Sequence, residues 1–154
     1  MKHAVIRSGW AVALLAVLQA PLAGAEPVCS LDVVGCGFGP YDVFSTAPRD
    51  STGSITVSCQ GSTGPVPVTL TLDAGWSGDA ARRTMSSGAG ALEYNLFVDA
   101  SRTQVWGDGF SGTSNRQLSV DGSPVTVSVF GRIPEGQVVP PGTYADTVVV
   151  TVSF

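Results

Sequence analysis

The chain has 154 residues, room for one domain of ordinary size. Only 13% of those residues are charged, and the twelve Asp and Glu outnumber the eight Lys and Arg. An acidic chain without basic clusters lacks the cations that gripping a phosphate backbone or an anionic lipid surface requires, which excludes nucleic-acid binding and electrostatic membrane docking.

The first element is a segment to be removed. Lys2, His3 and Arg7 make a basic start, and Trp10 to Leu18 is an unbroken apolar run too short to cross a bilayer as a helix. Ala23-Gly24-Ala25 then supplies the small-x-small pattern after which a signal peptidase cuts. Residues 1–25 are therefore expected to be a secretory signal peptide and residues 26–154 the single mature domain, the alternative being a buried N-terminal helix. Lys2 and Arg7 leave with the signal, so six Arg face twelve acidic residues and no Lys remains, a balance of −6. Strands faced with Thr, Ser and Gly suit a protein that packs against neighbours. No later segment is apolar enough for stable membrane insertion.

After Ser51 the pattern has a period of two. Ile55, Val57 and Cys59 alternate with Ser54, Thr56 and Ser58; Val66, Val68, Leu70 and Leu72 alternate with Pro67, Thr69 and Thr71. The same rhythm recurs in Leu92, Tyr94, Leu96 and Val98, and in Val125, Val127 and Val129. Successive side chains of a strand point to opposite faces, so each run predicts one buried row and one solvated row. Valine and threonine, branched at Cβ, fit a pleated surface. Gly61 to Pro65, Ser86 to Gly90, Asp121 to Pro124 and Pro140 to Gly142 supply turns between the runs. Short strands separated by such turns predict an all-β, two-sheet antiparallel sandwich.

The last strand is predicted over Tyr144–Phe154, with Val148, Val150, Val152 and Phe154 on one face and Thr147, Val149, Thr151 and Ser153 on the other. It carries no Pro, no Lys and no inward charge. At a sheet edge such a strand invites pairing with another chain; the alternative is a central position.

Three cysteines remain after export: Cys29, Cys36 and Cys59. An oxidising compartment favours one disulfide, and the odd count leaves one thiol. The reading preferred here joins Cys29 to Cys59 and leaves Cys36 as a small apolar residue, with Cys36–Cys59 as the open alternative. Closing a loop of about thirty residues is worth roughly 3–4 kcal/mol in the chain-entropy account. Three scattered thiols without histidine do not suit zinc, and no metal or other cofactor is expected.

Catalytic chemistry is sparse. The only histidine, His3, lies in the signal segment, so neither a Ser-His nor a Cys-His device can form in the mature chain. Asp73, Asp79, Asp99 and Asp108 are candidates for paired-carboxylate hydrolysis, but Asp beside Gly more often marks a turn. Asp108 to Asn115 lacks the acidic spacing of an EF-hand calcium loop. No enzyme is expected. Trp76 and Phe110 lie in Gly-rich loops, where they either grip a surface or fold back as core plugs.

Cys29, then Phe38-Gly39-x-Tyr41 and Gly53-Ser54-Ile55-Thr56-Val57-Ser58-Cys59, resembles the opening of the spore coat protein U family, which includes the Csu-type pilins of archaic chaperone–usher pili. The resemblance continues through Leu70 to Gly75, Arg83-Thr84-Met85, Leu92-x-Tyr94-x-Leu96, Trp106 to Gly109, and Pro141-Gly142-Thr143-Tyr144-x-Asp146 leading into Val148 to Val152. Cys36 departs from it, standing where the family more often has an apolar residue. The resemblance implies an immunoglobulin-like sandwich that lacks its final strand. A periplasmic chaperone and then another pilin subunit would lend that strand, with an outer-membrane usher guiding assembly to the cell surface. The edge of Val148, Val150, Val152 and Phe154 would accept it. A donor needs a disordered stretch of roughly ten residues, the length of a strand. Only Glu26, Pro27 and Val28 lie between the expected cleavage site and Cys29; a cut after Ala20 would add only a Pro-broken stretch. The expectation is a subunit that accepts a strand without donating one, at a pilus tip or outside the fibre. The alternative is a secreted coat or matrix protein of the same fold that binds a surface or carbohydrate without polymerising.

Overall fold

A computed structural model describes residues 26–154; the expected signal peptide, residues 1–25, lies outside the described residues. Eight strands follow in chain order: β1 (Val28–Val34), β2 (Arg49–Gln60), β3 (Val66–Leu72), β4 (Arg83–Ser86), β5 (Ala91–Phe97), β6 (Arg116–Val120), β7 (Val125–Ile133) and β8 (Val150–Ser153). One short 3-10 turn, Gly75–Ser77, follows β3. The strands form two antiparallel sheets, one ordered β1-β2-β7-β5-β4 and the other β6-β3-β8. This is an immunoglobulin-like sandwich of five strands against three.

Alternation decides the faces. In β2 the row Gly53, Ile55, Val57 and Cys59 is buried and the intervening row is not. β3 buries Val66, Val68, Leu70 and Leu72, and β7 buries Val127, Val129, Gly131 and Ile133. These rows meet Leu92, Tyr94, Leu96 and Trp106 in one core. β4 and β6 are short and carry no apolar alternation that would mark them in isolation; their partners β5 and β3 define them.

The sequence expectation for the last strand needs correction. Regular pairing covers only Val150–Ser153, opposite Leu72 to Thr69 of β3. Upstream the chain first bridges to the other sheet, where Ala145 and Ser86 exchange backbone hydrogen bonds of 3.0 and 3.1 Å. The segment thus crosses from β4 of one sheet to β3 of the other, and a chain crossing between sheets cannot pair continuously with either. Phe154 lies past the last pair and is 56% exposed, so it does not continue the inward row.

Gly53 and Gly131 are among the glycines required by close approach. A Cβ on Gly53 would lie 2.3 Å from the carbonyl oxygen of Val34, and one on Gly131 would lie 2.7 Å from the Phe38 ring. The first lets the end of β1 lie flat on β2. The second makes room for an aromatic ring on the inner face of β7.

Candidate functional site

Three strands cannot cover five. The uncovered strip is an apolar groove of about 1030 Å³ between the sheets. Its floor is built from both sheets, by Ile55 of β2, Val129 and Ile133 of β7, Leu92 and Leu96 of β5 and Leu72 of β3. One wall runs from Val33 at the end of β1 to Val43, and the other from Val139 to Val148 and on to Val150 of β8. β8 pairs with β3 along one side only, so its second edge faces the groove without a strand partner among the described residues.

The first wall is held by side chains acting on its backbone. Arg49 Nε donates to the Phe38 carbonyl at 2.7 Å, and Ser51 Oγ donates to the Gly37 carbonyl at 2.9 Å. The wall therefore continues alongside β2 after β1 ends. The Phe38 ring meets Tyr94 edge-on with centroids 6.1 Å apart, a favourable aromatic geometry. Beyond it, Tyr41 Oη donates to the Pro134 carbonyl at 2.8 Å and accepts from the Gln137 N–H at 3.0 Å. The Gln137 side-chain amide in turn accepts from the Glu93 N–H at 2.7 Å and donates to the Glu93 carbonyl at 2.9 Å. It occupies the place of a strand residue where β7 has ended.

The second wall is set by Asp146. Its Oδ2 accepts from Tyr94 Oη at 2.6 Å, and its Oδ1 accepts from the backbone N–H groups of Trp76 at 2.9 Å and Thr147 at 2.8 Å. Burial, followed by the hydrogen bond to Asp146, pushes the Tyr94 phenol far above its ordinary pKa, so it stays a donor. Asp73 adds a contact, with Oδ1 accepting from the Val149 N–H at 2.9 Å. Beneath lies Arg83, fully buried and without a carboxylate partner among the described residues. Its guanidinium donates to Asn95 Oδ1 at 2.8 Å and to the carbonyls of Trp106 at 2.9 Å, Ala80 at 3.2 Å and Asp73 at 3.0 Å. Burial lowers its pKa, and the acidic groups around it partly offset that. Carbonyls can satisfy a guanidinium fork because five donors in one plane reach several oxygens at once.

The residues singled out in the sequence fall in three places. Cys29 and Cys59 face each other across β1 and β2, joined by a disulfide with Cα atoms 4.1 Å apart. Cys36 is the free cysteine among the described residues; it is half-buried on the groove wall, its Sγ donates to the Val129 carbonyl at 3.5 Å, and burial raises its thiol pKa. Val148 and Val150 line the groove, and Val152 packs partly against the core. Trp76 and Phe110 project from their loops, 67% and 74% exposed, rather than folding into the core. Of the four aspartates, Asp79 accepts from the Ala81 N–H, Asp99 from Thr103 and Gln104, and Asp108 from Phe110 and Thr113. These are turn-forming bonds, and with Asp73 bonded to Gly75 and Val149 all four serve backbone geometry. Among the described residues no group of three or more His, Cys, Asp or Glu could hold a metal ion.

Sequence reasoning did not pick out Arg83, Gln137 or Asp146 as working side chains. An arginine two residues before a methionine gives no sign of burial, because its partners are carbonyls brought from three other segments. Gln137 lies in a loop without periodicity. The signal that Tyr41, Arg83 and Asp146 carried was membership of motifs shared with a family.

Comparison with known proteins agrees with this fold. Residues 14–151 match the family described as the Spore Coat Protein U domain. Protein U of Myxococcus xanthus is 40% identical over 130 residues, a match that takes in 76% of this chain and 70% of that protein. Among solved structures, a chain in the CsuC–CsuE chaperone–tip adhesion subunit pre-assembly complex, from the archaic chaperone–usher Csu pili of Acinetobacter baumannii, superposes with a TM-score of 0.57 at 24% identity. That match covers 84% of this chain and 40% of the other, so the present chain spans less than half of its structural neighbour. The protein belongs to the Spore Coat Protein U domain family.

Proposed function

We propose that this protein is a structural, non-enzymatic subunit of a chaperone–usher-type surface pilus, completed by a strand that a partner supplies beside β8. The observation that carries the reading is the groove of about 1030 Å³ open along the unpaired edge of β8. An unpaired edge offers a row of N–H and C=O groups, and an apolar floor offers sites for every second side chain. Small-molecule sites are usually smaller and present converging polar groups. Here the polar groups near the groove, Asp146 and Tyr94, already bond each other.

On this reading Val148, Val150 and Val152 form the strand-accepting edge, with Phe154 exposed just beyond its end. The partners are a periplasmic chaperone, an outer-membrane usher and other pilin subunits. The protein passes through the periplasm to the cell surface. A terminal position in the fibre is the finer form of the proposal. It is supported by Val28, which already pairs with Gln60, so that Glu26 and Pro27 are the residues between the expected cleavage site and β1. Trp76 and Phe110, both exposed on loops, are then the proposed surface contacts.

Periplasmic co-expression with the chaperone of the same operon, followed by purification and thermal melting, tests the reading. A stoichiometric complex, with an aggregating or low-melting subunit when the chaperone is absent, is expected. A second reading, a secreted coat protein of the same fold, is favoured by the match to the family described as the Spore Coat Protein U domain. A monomer that melts cooperatively alone and ignores the chaperone would establish that one instead. Mass spectrometry of the mature N-terminus tests the terminal position, and a mature chain with a long flexible leader would remove it.

A further inference from the structure

We propose that Tyr41 and Gln137 are positioning residues that make the groove a blind slot, sealed at one pole and entered from the other; the proposal rests on the strand-acceptor reading above. Where β7 ends, the first wall is hydrogen-bonded to the loop that leads into the second. Val34 lies opposite Ser54, and the Gly37 and Phe38 carbonyls are held by Ser51 and Arg49, so the first wall follows β2 back to its start. Arg49 lies opposite Ile133, the last residue of β7. At that pole Tyr41 bridges to Pro134 and Gln137, and Gln137 bridges to Glu93, tying first wall, loop and β5 into one unit. The second wall starts there as well, since Ala145 pairs with Ser86, and Ser86 with Ala91, beyond the last β5–β7 pair at Asn95 and Arg132.

From that pole β8 leads away, Val150 opposite Leu72 and Ser153 opposite Thr69. At the far pole no hydrogen bond joins β1 to β8 among the described residues. A segment laid antiparallel on β8 therefore runs with its C-terminal end toward the clasp, and the clasp limits its reach. Walls held apart before docking do not have to be ordered by the incoming strand, which lowers the entropic cost of binding. The hydroxyl of Tyr41 and the amide of Gln137 have all the bonds they need within the clasp, so their contribution is geometric.

The test uses the full chain extended past Phe154 by an Asn-Gly turn and a strand of alternating valine and threonine, in lengths from four to twelve residues. An Asn-Gly turn folds such an extension back antiparallel on β8. Melting temperature is expected to rise with strand length and then stop rising once the tip meets the clasp. Tyr41→Phe is expected to remove about half or more of that rise, and Gln137→Ala to do the same, as coupled sites do in a double-mutant cycle. A clasp that is merely structural would lower the extended and unextended chains equally, and that result overturns the proposal. A rise that continues past the clasp without limit overturns it too. If no extension of any length raises the melting temperature, the acceptor reading itself fails, and this proposal with it. Should Tyr41→Phe not fold, Gln137→Ala alone completes the cycle.

Discussion

β2 and β8 carry the same alphabet and different fates. β2 alternates Ile55, Val57 and Cys59 with serines and threonine, is paired on both sides, and buries its inward row almost completely. β8 alternates Val150 and Val152 with Thr151 and Ser153, pairs on one side for four residues, and leaves the same kind of side chain half-exposed. Alternation chooses which face of a strand turns inward. The number of strands available decides whether that face is covered. β8 has the pattern of an interior strand at the margin of a sheet two strands narrower than its partner.

The largest effect should come from the residue that anchors the end of β3, the strand on which β8 pairs. Arg83 bonds Asp73 and Leu72 at the end of β3, where β8 begins to pair, and Asn95 and Trp106 behind them. Arg83→Met would strand several buried acceptors and is expected to cost about 3–5 kcal/mol. Urea denaturation reads this directly, and a loss under 1 kcal/mol would mean that water replaces the guanidinium.

Ile55→Ala separates the two strands. Ile55 is 1% exposed, and its truncation is expected to cost about 2–5 kcal/mol. Val152→Ala in β8 should cost under about 1 kcal/mol in the free protein, because a half-exposed valine has less burial to lose. The comparison sharpens when a strand occupies the groove, since Val152→Ala should then cost more. An unchanged cost in the occupied state would show that docking does not cover β8. Between these lies Cys29→Ser with its partner Cys59→Ser, expected to cost about 2–4 kcal/mol by freeing the unfolded chain. Melting of the reduced wild-type chain provides the matched control.

The smallest effect concerns pH. Arg132 donates to Asp50 through Nε at 2.7 Å and Nη2 at 2.8 Å, and this pair holds the Asp50 carboxyl below its ordinary pKa. A depressed folded-state pKa stabilises above the unfolded value of about 3.9 and loses that contribution as pH falls through the folded value. Asp99 and Asp108 are shifted the same way by their turn bonds. Stability is thus expected to be flat between about pH 5 and pH 8 and to fall below about pH 4, where Asp50→Asn should flatten part of the slope. β8 contains no titratable side chain, so amide exchange there should follow acid only through global unfolding. Early loosening of β8 in acid would contradict this division.

Much of this protein was determined by its sequence alone. Period-two runs specify the inward rows of β2, β3, β5 and β7, because a strand has two faces and burial selects one. The position of Cys59 on an inward row suited it to a disulfide but left Cys29 and Cys36 both open as its partner until the register of β1 on β2 paired it with Cys29. The ordered motifs made the family legible. Trp76 and Phe110 could be located in loops but not assigned an exposure, since a flexible loop can turn a side chain either way. What only the tertiary structure decided is everything that depends on counting neighbours. The five-against-three sheets, the free edge of β8, the sheet-crossing bridge at Ala145 and the burial of Arg83 among carbonyls all arise from long-range pairing. Side-chain periodicity reports a residue's preference for a face. It carries no information on whether another strand, a carbonyl or open solvent will be waiting there.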